Sequence, residues 1–209
     1  DANTLFDPAA IRMLVRHFQD PSVGLVCGRL RLYNPTREGY EESTYWTYES
    51  FLKFMEGKWG AVMGANGGIY ALRRELWEPL PGNTVVEDFV VAGRCILRGR
   101  KVVYDPEAVA YEETTEDYGR ERARRTRIAA GNFQALVALR ELLHPSRPFV
   151  AFAFLSHKIL RWLAPFFLLG AFVSNLFLAD RSPYGLTLAL QLGFYGLALA
   201  GYLGYRRGM

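Results

Sequence analysis

The apolar positions of this chain recur at helical spacing in some segments and alternate or cluster in others. Within residues 7–20, Asp7 and Pro8 give a helix-start signal and apolar side chains follow every three or four positions. The predicted helices are 7–20, 38–57, 87–98 and 117–143, the predicted strands are 23–33, 101–105 and 108–113, and 67–77 is predicted as a short strand that leads into a helix. This alternation is typical of an α/β domain, although the strands are too few for a complete, mostly parallel sheet.

The last part of the chain is strongly apolar. Residues 162–179 and 182–205 contain no charged side chain, and the polar segment DRSP separates them. A helix needs about 20 apolar residues to cross a bilayer, so the pattern predicts a transmembrane hairpin, the alternative being a hairpin buried in a soluble core. Lys and Arg flank the hairpin at both ends, which places both ends and the polar part of the chain on the cytoplasmic side of a cell (inner) membrane.

Charge is distributed unevenly along the 209 residues. Residues 120–161 contain nine Lys/Arg and two Asp/Glu, which suits anionic lipids, phosphates or nucleic acid. Within this zone, 149–162 mixes apolar residues with Lys158 and Arg161 and predicts an interfacial helix. The predicted divisions are therefore 1–118, 119–161 and 162–209. Cys27 and Cys95 lack metal or redox spacing and are interpreted as buried free thiols.

Two segments offer oxygen atoms or close backbone approach to a ligand. Asp1 and Asn3 could hold Mg²⁺ or Mn²⁺ against a diphosphate, because these hard cations prefer oxygen ligands; both residue types are equally common in turns. In GANGGIYALRRELW, glycines at 64, 67 and 68 would let the backbone approach a ligand. An ordinary glycine turn explains the same residues.

The segment NTVVEDFVVAGR places two carboxylates at a predicted helix start. Thr84 and Glu87 have the spacing of a capping box, and acidic residues at a helix N-terminus are favourable without any function. Asp88 could instead accept a proton from an attacking hydroxyl.

An arginine-rich stretch follows, RERARRTRIAAG. Arg120, Arg124 and Arg127 share one helical face, and Arg125 can pair with Glu121, whereas the others are predicted to have no acid in helical reach. The face is either a solvated basic surface or a clamp for a phosphate-bearing ligand.

The order of these motifs resembles the family-2 glycosyltransferases, in particular the membrane-integrated hyaluronan, cellulose and poly-N-acetylglucosamine synthases. The resemblance implies an α/β fold, a partial GT-A-type domain containing its acceptor-side half, followed by an interfacial helix and the transmembrane hairpin. It implies that Asp1 and Asn3 bind Mg²⁺ or Mn²⁺ and that Asp88 is the catalytic base. The substrate- or diphosphate-binding residues that it implies are Gly64, Asn66, Gly67, Glu87, Arg124 and Arg127.

By the same resemblance, the chain would transfer a sugar from a nucleotide-sugar donor to a glycan or lipid-linked acceptor with inversion, in the synthesis of a cell-surface polysaccharide or glycolipid. The implied partners are donor, acceptor and membrane lipids, and no nucleic acid. RRTRI stands where processive synthases have Q-x-x-R-W, so Arg124 replaces the Gln and Ile128 replaces the Trp. The alternative is a non-catalytic, membrane-anchored relative that binds sugar or lipid. This segment alone is expected to be inactive.

Overall fold

The computed structural model describes residues 3–33, 44–113 and 118–206. It forms two compact units, Asp1–Ile159 and Leu160–Met209. Asp1 and the first residues of the helix predicted over 38–57 lie outside the described residues.

A four-stranded mixed sheet organises the first unit. Its strands are β1 (Thr4–Phe6), β2 (Val23–Tyr33), β3 (Tyr70–Leu72) and β4 (Lys101–Glu113), in the order β1-β4-β2-β3. Only β2 and β4 are parallel; β1 and β3 pair antiparallel at the two edges. One strand, β4, replaces the two strands predicted over 101–105 and 108–113. The pairing direction of the strands depends on tertiary contacts, so the local pattern of apolar residues did not predict the antiparallel edges.

The parallel pair is interrupted by a bulge that becomes important at the candidate site. Gly28 is opposite Asp105, but Arg29 is already opposite Val109. At this point a Cβ on residue 28 would lie 2.6 Å from the carbonyl oxygen of Ala108. Glycine is therefore required at 28 so that the two strands can approach each other.

Helices cover the sheet. In the first unit they are α1 (Ala10–Arg16), α2 (Thr44–Lys58), α3 (Glu87–Leu97), α4 (Tyr118–Ala138) and α5 (Pro148–Ala153). Ala10 and Leu14 lie on the apolar side of α1. They are buried against Val26, Ile69 and small residues of β4. Short 3₁₀ turns follow α1 and α4, at 17–19 and 140–143, so the predicted helices 7–20 and 117–143 each end in a tighter turn.

Two predicted details are wrong. The Asp7 carboxylate accepts the N–H of Ala9 at 2.9 Å, and α1 starts only at Ala10, so Asp7 is not the N-cap. Residues 67–77 contain β3 and a 3₁₀ turn at 74–76 in place of an α-helix. The segment predicted as an interfacial helix is helical, with α5 followed by a π-helical turn, Phe154–Ile159, and its location at a membrane interface stays a prediction.

The second unit consists of α6 (Leu160–Leu178) and α7 (Tyr184–Arg206). The two helices contact each other through polar side chains, with Asn175 donating to Gln191 at 3.2 Å and Thr187 donating to Asn175 at 3.2 Å. Pro148–Leu178 and Tyr184–Arg206 are long and apolar enough to span a membrane by length and composition. Whether they do so stays a prediction.

Candidate active site

Asp88 lies in the first turn of α3, the helix predicted over 87–98. The N-cap is Val86, no side chain caps the helix, and the Asp88 carboxylate accepts the N–H of Phe89 at 2.8 Å. The capping box expected from Thr84 and Glu87 is therefore wrong.

Burial gives the Asp88 carboxyl a raised pKa. The side chain is half-buried, and loss of hydration is the largest cause of the shift. The Phe89 N–H and the positive charges of Lys53 and Lys158 oppose it. The adjacent Glu87 is exposed, and burial of the Asp88 carboxyl, not repulsion from Glu87, is the main cause of the raised pKa. A carboxyl with a raised pKa is a better proton acceptor than an ordinary aspartate.

The predicted glycine loop lies against the start of α3. Gly64 has φ of 102°, and a Cβ there would lie 2.9 Å from the ring of Phe89, the residue after Asp88. A Cβ on Gly68 would lie 3.0 Å from the Thr4 hydroxyl. The loop therefore touches both the Asp88 segment and the strand that follows Asn3.

Asn66 holds this loop in place. Its side-chain amide donates to the carbonyl oxygen of Gly28 at 2.6 Å, and its amide oxygen accepts from Lys53. Its side chain is thus engaged inside the protein, whereas Gly67 is exposed. Contact of Gly64, Asn66 and Gly67 with substrate stays a prediction.

Two arginines of α4, only one of them on the arginine face, pair with the same acid. Glu121 accepts from Arg124 at 2.8 Å and from Arg125 at 2.7 Å. The prediction that Arg124 has no acid within reach is therefore wrong. The two guanidinium groups lower the pKa of Glu121 to about 2, the hydrogen bond from Arg124 being the largest cause. Among the residues that the structure describes, Arg127 forms no ion pair, and its side chain is exposed.

The same helix packs onto the segment that precedes Asp88. A Cβ on Gly131 would lie 2.7 Å from Val85 Cβ and 3.3 Å from Val86. Arg127 and Arg124 precede Gly131 by four and seven residues, so all three lie on the same side of α4. The fold therefore brings the arginine face and the start of α3 together.

Of the two residues predicted to bind a divalent cation, the structure describes only Asn3. Within 3–33, 44–113 and 118–206 there is no group of three His, Cys, Asp or Glu that could hold a metal ion. Asn3 is exposed at the start of β1 and offers an amide oxygen, and Asp1 lies outside the described residues. A carboxylate with an amide oxygen is the hard donor chemistry that suits Mg²⁺ or Mn²⁺.

Sequence reasoning missed a set of buried charged side chains around this site. They are Glu49, Lys53, Glu56, His157 and Lys158. The signal was present, since residues 49, 53 and 56 fall on one face of α2. Charges at that spacing usually mark a solvated surface, and no local pattern shows that this face points inward.

A mixed sheet, a glycine loop and a half-buried carboxyl at a helix start are the features of a nucleotide-sugar transferase with a GT-A-like fold. In fold, the chain is similar to the mannosyltransferase PcManGT from Pyrobaculum calidifontis, solved in complex with GDP-Man and Mn²⁺. The TM-score is 0.50 at 19% identity, and the match covers 95% of this chain but 59% of that protein. No curated protein sequence matches the chain significantly.

The sequence itself assigns the family. The family described as "Glycosyl transferase family group 2" matches residues 1–203. The chain belongs to this family and is a glycosyltransferase segment.

Both free cysteines are buried, as the sequence indicated.

Proposed function

We propose that the protein is an inverting glycosyltransferase that moves a sugar from a nucleotide-sugar donor to a glycan or lipid-linked acceptor at the cytoplasmic face of a membrane. The product would be a cell-surface polysaccharide or a glycolipid. The observation that carries this proposal is the half-buried Asp88 carboxyl, with its raised pKa, between the glycine loop and the arginine face. The family assignment supports sugar transfer as the chemistry.

In the proposed mechanism, Asp88 accepts the proton of the acceptor hydroxyl. The hydroxyl oxygen then attacks the anomeric carbon of the donor from the side opposite the nucleoside diphosphate. The new bond forms as the bond to the diphosphate breaks, so one displacement inverts the anomeric centre. The exposed Gly67 lets the acceptor approach the backbone of the loop, Asn66 anchors the loop, and Gly64 is proposed to contribute its backbone to the same site.

The arginine face stabilises the leaving group. Arg127, with Arg124 beside it, would bind the diphosphate through charge-assisted hydrogen bonds. Glu87 is exposed next to Asp88 and is proposed to contact the substrate. Asp1 and Asn3 would hold Mg²⁺ or Mn²⁺, which supplies positive charge to the diphosphate when bound. Chelation of divalent cations by EDTA is then expected to stop turnover, and undiminished turnover would refute the metal role.

Two further parts of the proposal concern organisation. Residues 1–118 would be the acceptor-side half of the transferase domain, and residues 119–161 would form basic and interfacial helices. Residues 162–209 would form two membrane-spanning helices. The length and apolar composition of the two C-terminal helices support this last assignment. The chain spans 59% of the solved mannosyltransferase. We therefore expect residues 1–209 alone to be inactive.

The test is a transfer assay of the full-length protein in membranes with a panel of nucleotide-sugar donors. We expect one donor to release its nucleoside diphosphate and to give a product of inverted anomeric configuration by NMR. A product of retained configuration would refute the single displacement. Donor or lipid binding without any transfer would favour the non-catalytic relative.

A further inference from the structure

Helix α2 has its polar and apolar faces reversed. Glu49, Lys53 and Glu56 are only 5–6% exposed, while several large apolar side chains of the same helix are exposed. They are Tyr45, Tyr48, Phe51, Phe54 and Met55. Burying charged groups is costly unless each finds partners. A buried face with three charges therefore requires a dedicated set of contacts.

His157 supplies the first of these contacts. Its Nδ1 lies 2.6 Å from Glu56 Oε1 and its Nε2 lies 3.2 Å from Glu49 Oε2. Lys158 donates to the other oxygen of Glu49 at 3.1 Å. Successive residues point about 100° apart on an α-helix, but the π-helical turn 154–159 is wider. It turns His157 and Lys158 toward α2 together, and π-turns are frequent at functional sites.

Lys53 lies on the same buried face of α2 and contacts the glycine loop. Its ammonium group donates to Asn66, which in turn holds Gly28 at the bulge of the sheet. Glu56 fixes the same loop from the other side by accepting the N–H of Met63 at 2.9 Å. The network thus sets the conformation of residues 63–66.

The network also meets the segment of Asp88. Phe89 packs against Gly64 of the loop and against Phe154 of the π-turn, with 5.8 Å between the two ring centres. The positive charges of both Lys53 and Lys158 act on the Asp88 carboxyl and favour its ionised form. Lys53 and Lys158 are both buried and lie on different elements, so the Asp88 segment has two buried ammonium groups in its surroundings.

We propose that Lys53 and Lys158 are positioning residues for Asp88, which hold the glycine loop and the π-turn around the start of α3 and place two positive charges in its buried surroundings. The proposal rests on the function proposed above. Other ionisable groups lie on the elements around the start of α3. They are Glu87 on α3, Tyr70 on β3, Cys27 on β2, Arg124 and Arg127 on α4, and Glu49, Glu56 and His157 within the network.

The test compares Lys53→Met with Lys58→Met in the full-length protein. Met keeps the length of the side chain without the charge, and Lys58 lies exposed on the same helix. Loss of a nearby positive charge makes the Asp88 carboxyl bind its proton more tightly, so the acidic limb of the profile of kcat/KM against pH should move to higher pH. Opposite charges near a carboxyl shift its titration by about one to three pH units; we expect at least about half a unit for Lys53→Met and no shift for Lys58→Met.

Two further variants keep the test decisive if Lys53→Met does not fold. Lys158→Met leaves the contact of Lys53 with Asn66 intact and should move the limb in the same direction. Lys53→Arg retains the charge and should leave the limb where it is. A folded Lys53→Met or Lys158→Met protein with the wild-type limb would overturn the proposal.

Failure of this inference can be separated from failure of the proposed function. An inactive Asp88→Asn protein together with an unmoved limb in Lys53→Met refutes only the role of the lysines. Wild-type turnover by Asp88→Asn refutes the base itself, and with it both proposals.

Discussion

Arg127 and Arg125 lie two residues apart on α4 but have different surroundings. Arg125 pairs with Glu121 at 2.7 Å, whereas Arg127 lies one turn from Gly131 on the side that meets the start of α3. The proposed mechanism gives Arg127 alone of this pair a contact with the donor. Substituting each arginine should therefore distinguish the loss of a contact with the donor from the loss of surface charge.

We expect Arg127→Ala to weaken binding of the nucleotide-sugar by about tenfold or more, because a hydrogen bond to a charged group contributes about 1.5–3 kcal/mol. Titration of the donor by calorimetry measures this directly. Arg125→Ala removes the same charge from the chain and serves as the control, with an expected change under about twofold. Equal losses in both variants would mean that only net charge matters.

At the same scale, the sequence predicted that Asp88 lies at a helix start but did not predict its surroundings. The Glu-Asp pair before an apolar run was enough to mark a helix start with a spare carboxylate. The role of Lys53 could not be predicted, because its partner Asn66 is fixed by the fold and not by spacing. A buried network of this kind depends on contacts between elements that are distant in sequence.

Helix α4 contacts the residues that lead into α3, and one glycine makes this contact possible. Gly131→Ala would place a Cβ 2.7 Å from Val85. Overpacking of this kind costs about 1–3 kcal/mol, which exceeds the gain of about 1 kcal/mol from alanine in a helix.

The expected result for Gly131→Ala is a lower free energy of unfolding and a lower kcat, because the start of α3 must move. Denaturant unfolding and the transfer assay measure the two effects. Gly82→Ala is the matched control, since nothing lies within 4 Å of the added Cβ. A stabilised and fully active Gly131→Ala protein would show that α4 does not position Asp88.

Most elements of the chain were predictable, and their pairing was not. The apolar periodicity located the helices that became α1 to α4 and the strand β2, because those patterns are local. The antiparallel edges, the bulge at Gly28 and the π-turn at 154–159 arise from packing between distant segments. Wrong predictions, such as the caps at Asp7 and Thr84, involve polar side chains that have several possible local partners.

For the molecule as a whole, the proposal predicts a topology with both ends of the apolar hairpin in the cytoplasm. A cysteine at Ser182, between α6 and α7, should react with a membrane-impermeant maleimide added to intact cells. A cysteine at Gly208 should react only after permeabilisation. The native Cys27 and Cys95 are buried and give a low background. The opposite labelling pattern would refute the orientation.

The central claim is that Asp88 is the base of a sugar transfer, and Asp88→Asn in the full-length protein tests it most directly. Asparagine keeps the size of the side chain but cannot accept the proton, and general-base catalysis typically contributes about 10²–10⁴ in rate. We predict that kcat falls by that order, that the affinity for the donor is unchanged, and that the neighbouring Glu87→Gln retains far more activity. Wild-type turnover by Asp88→Asn would contradict the account.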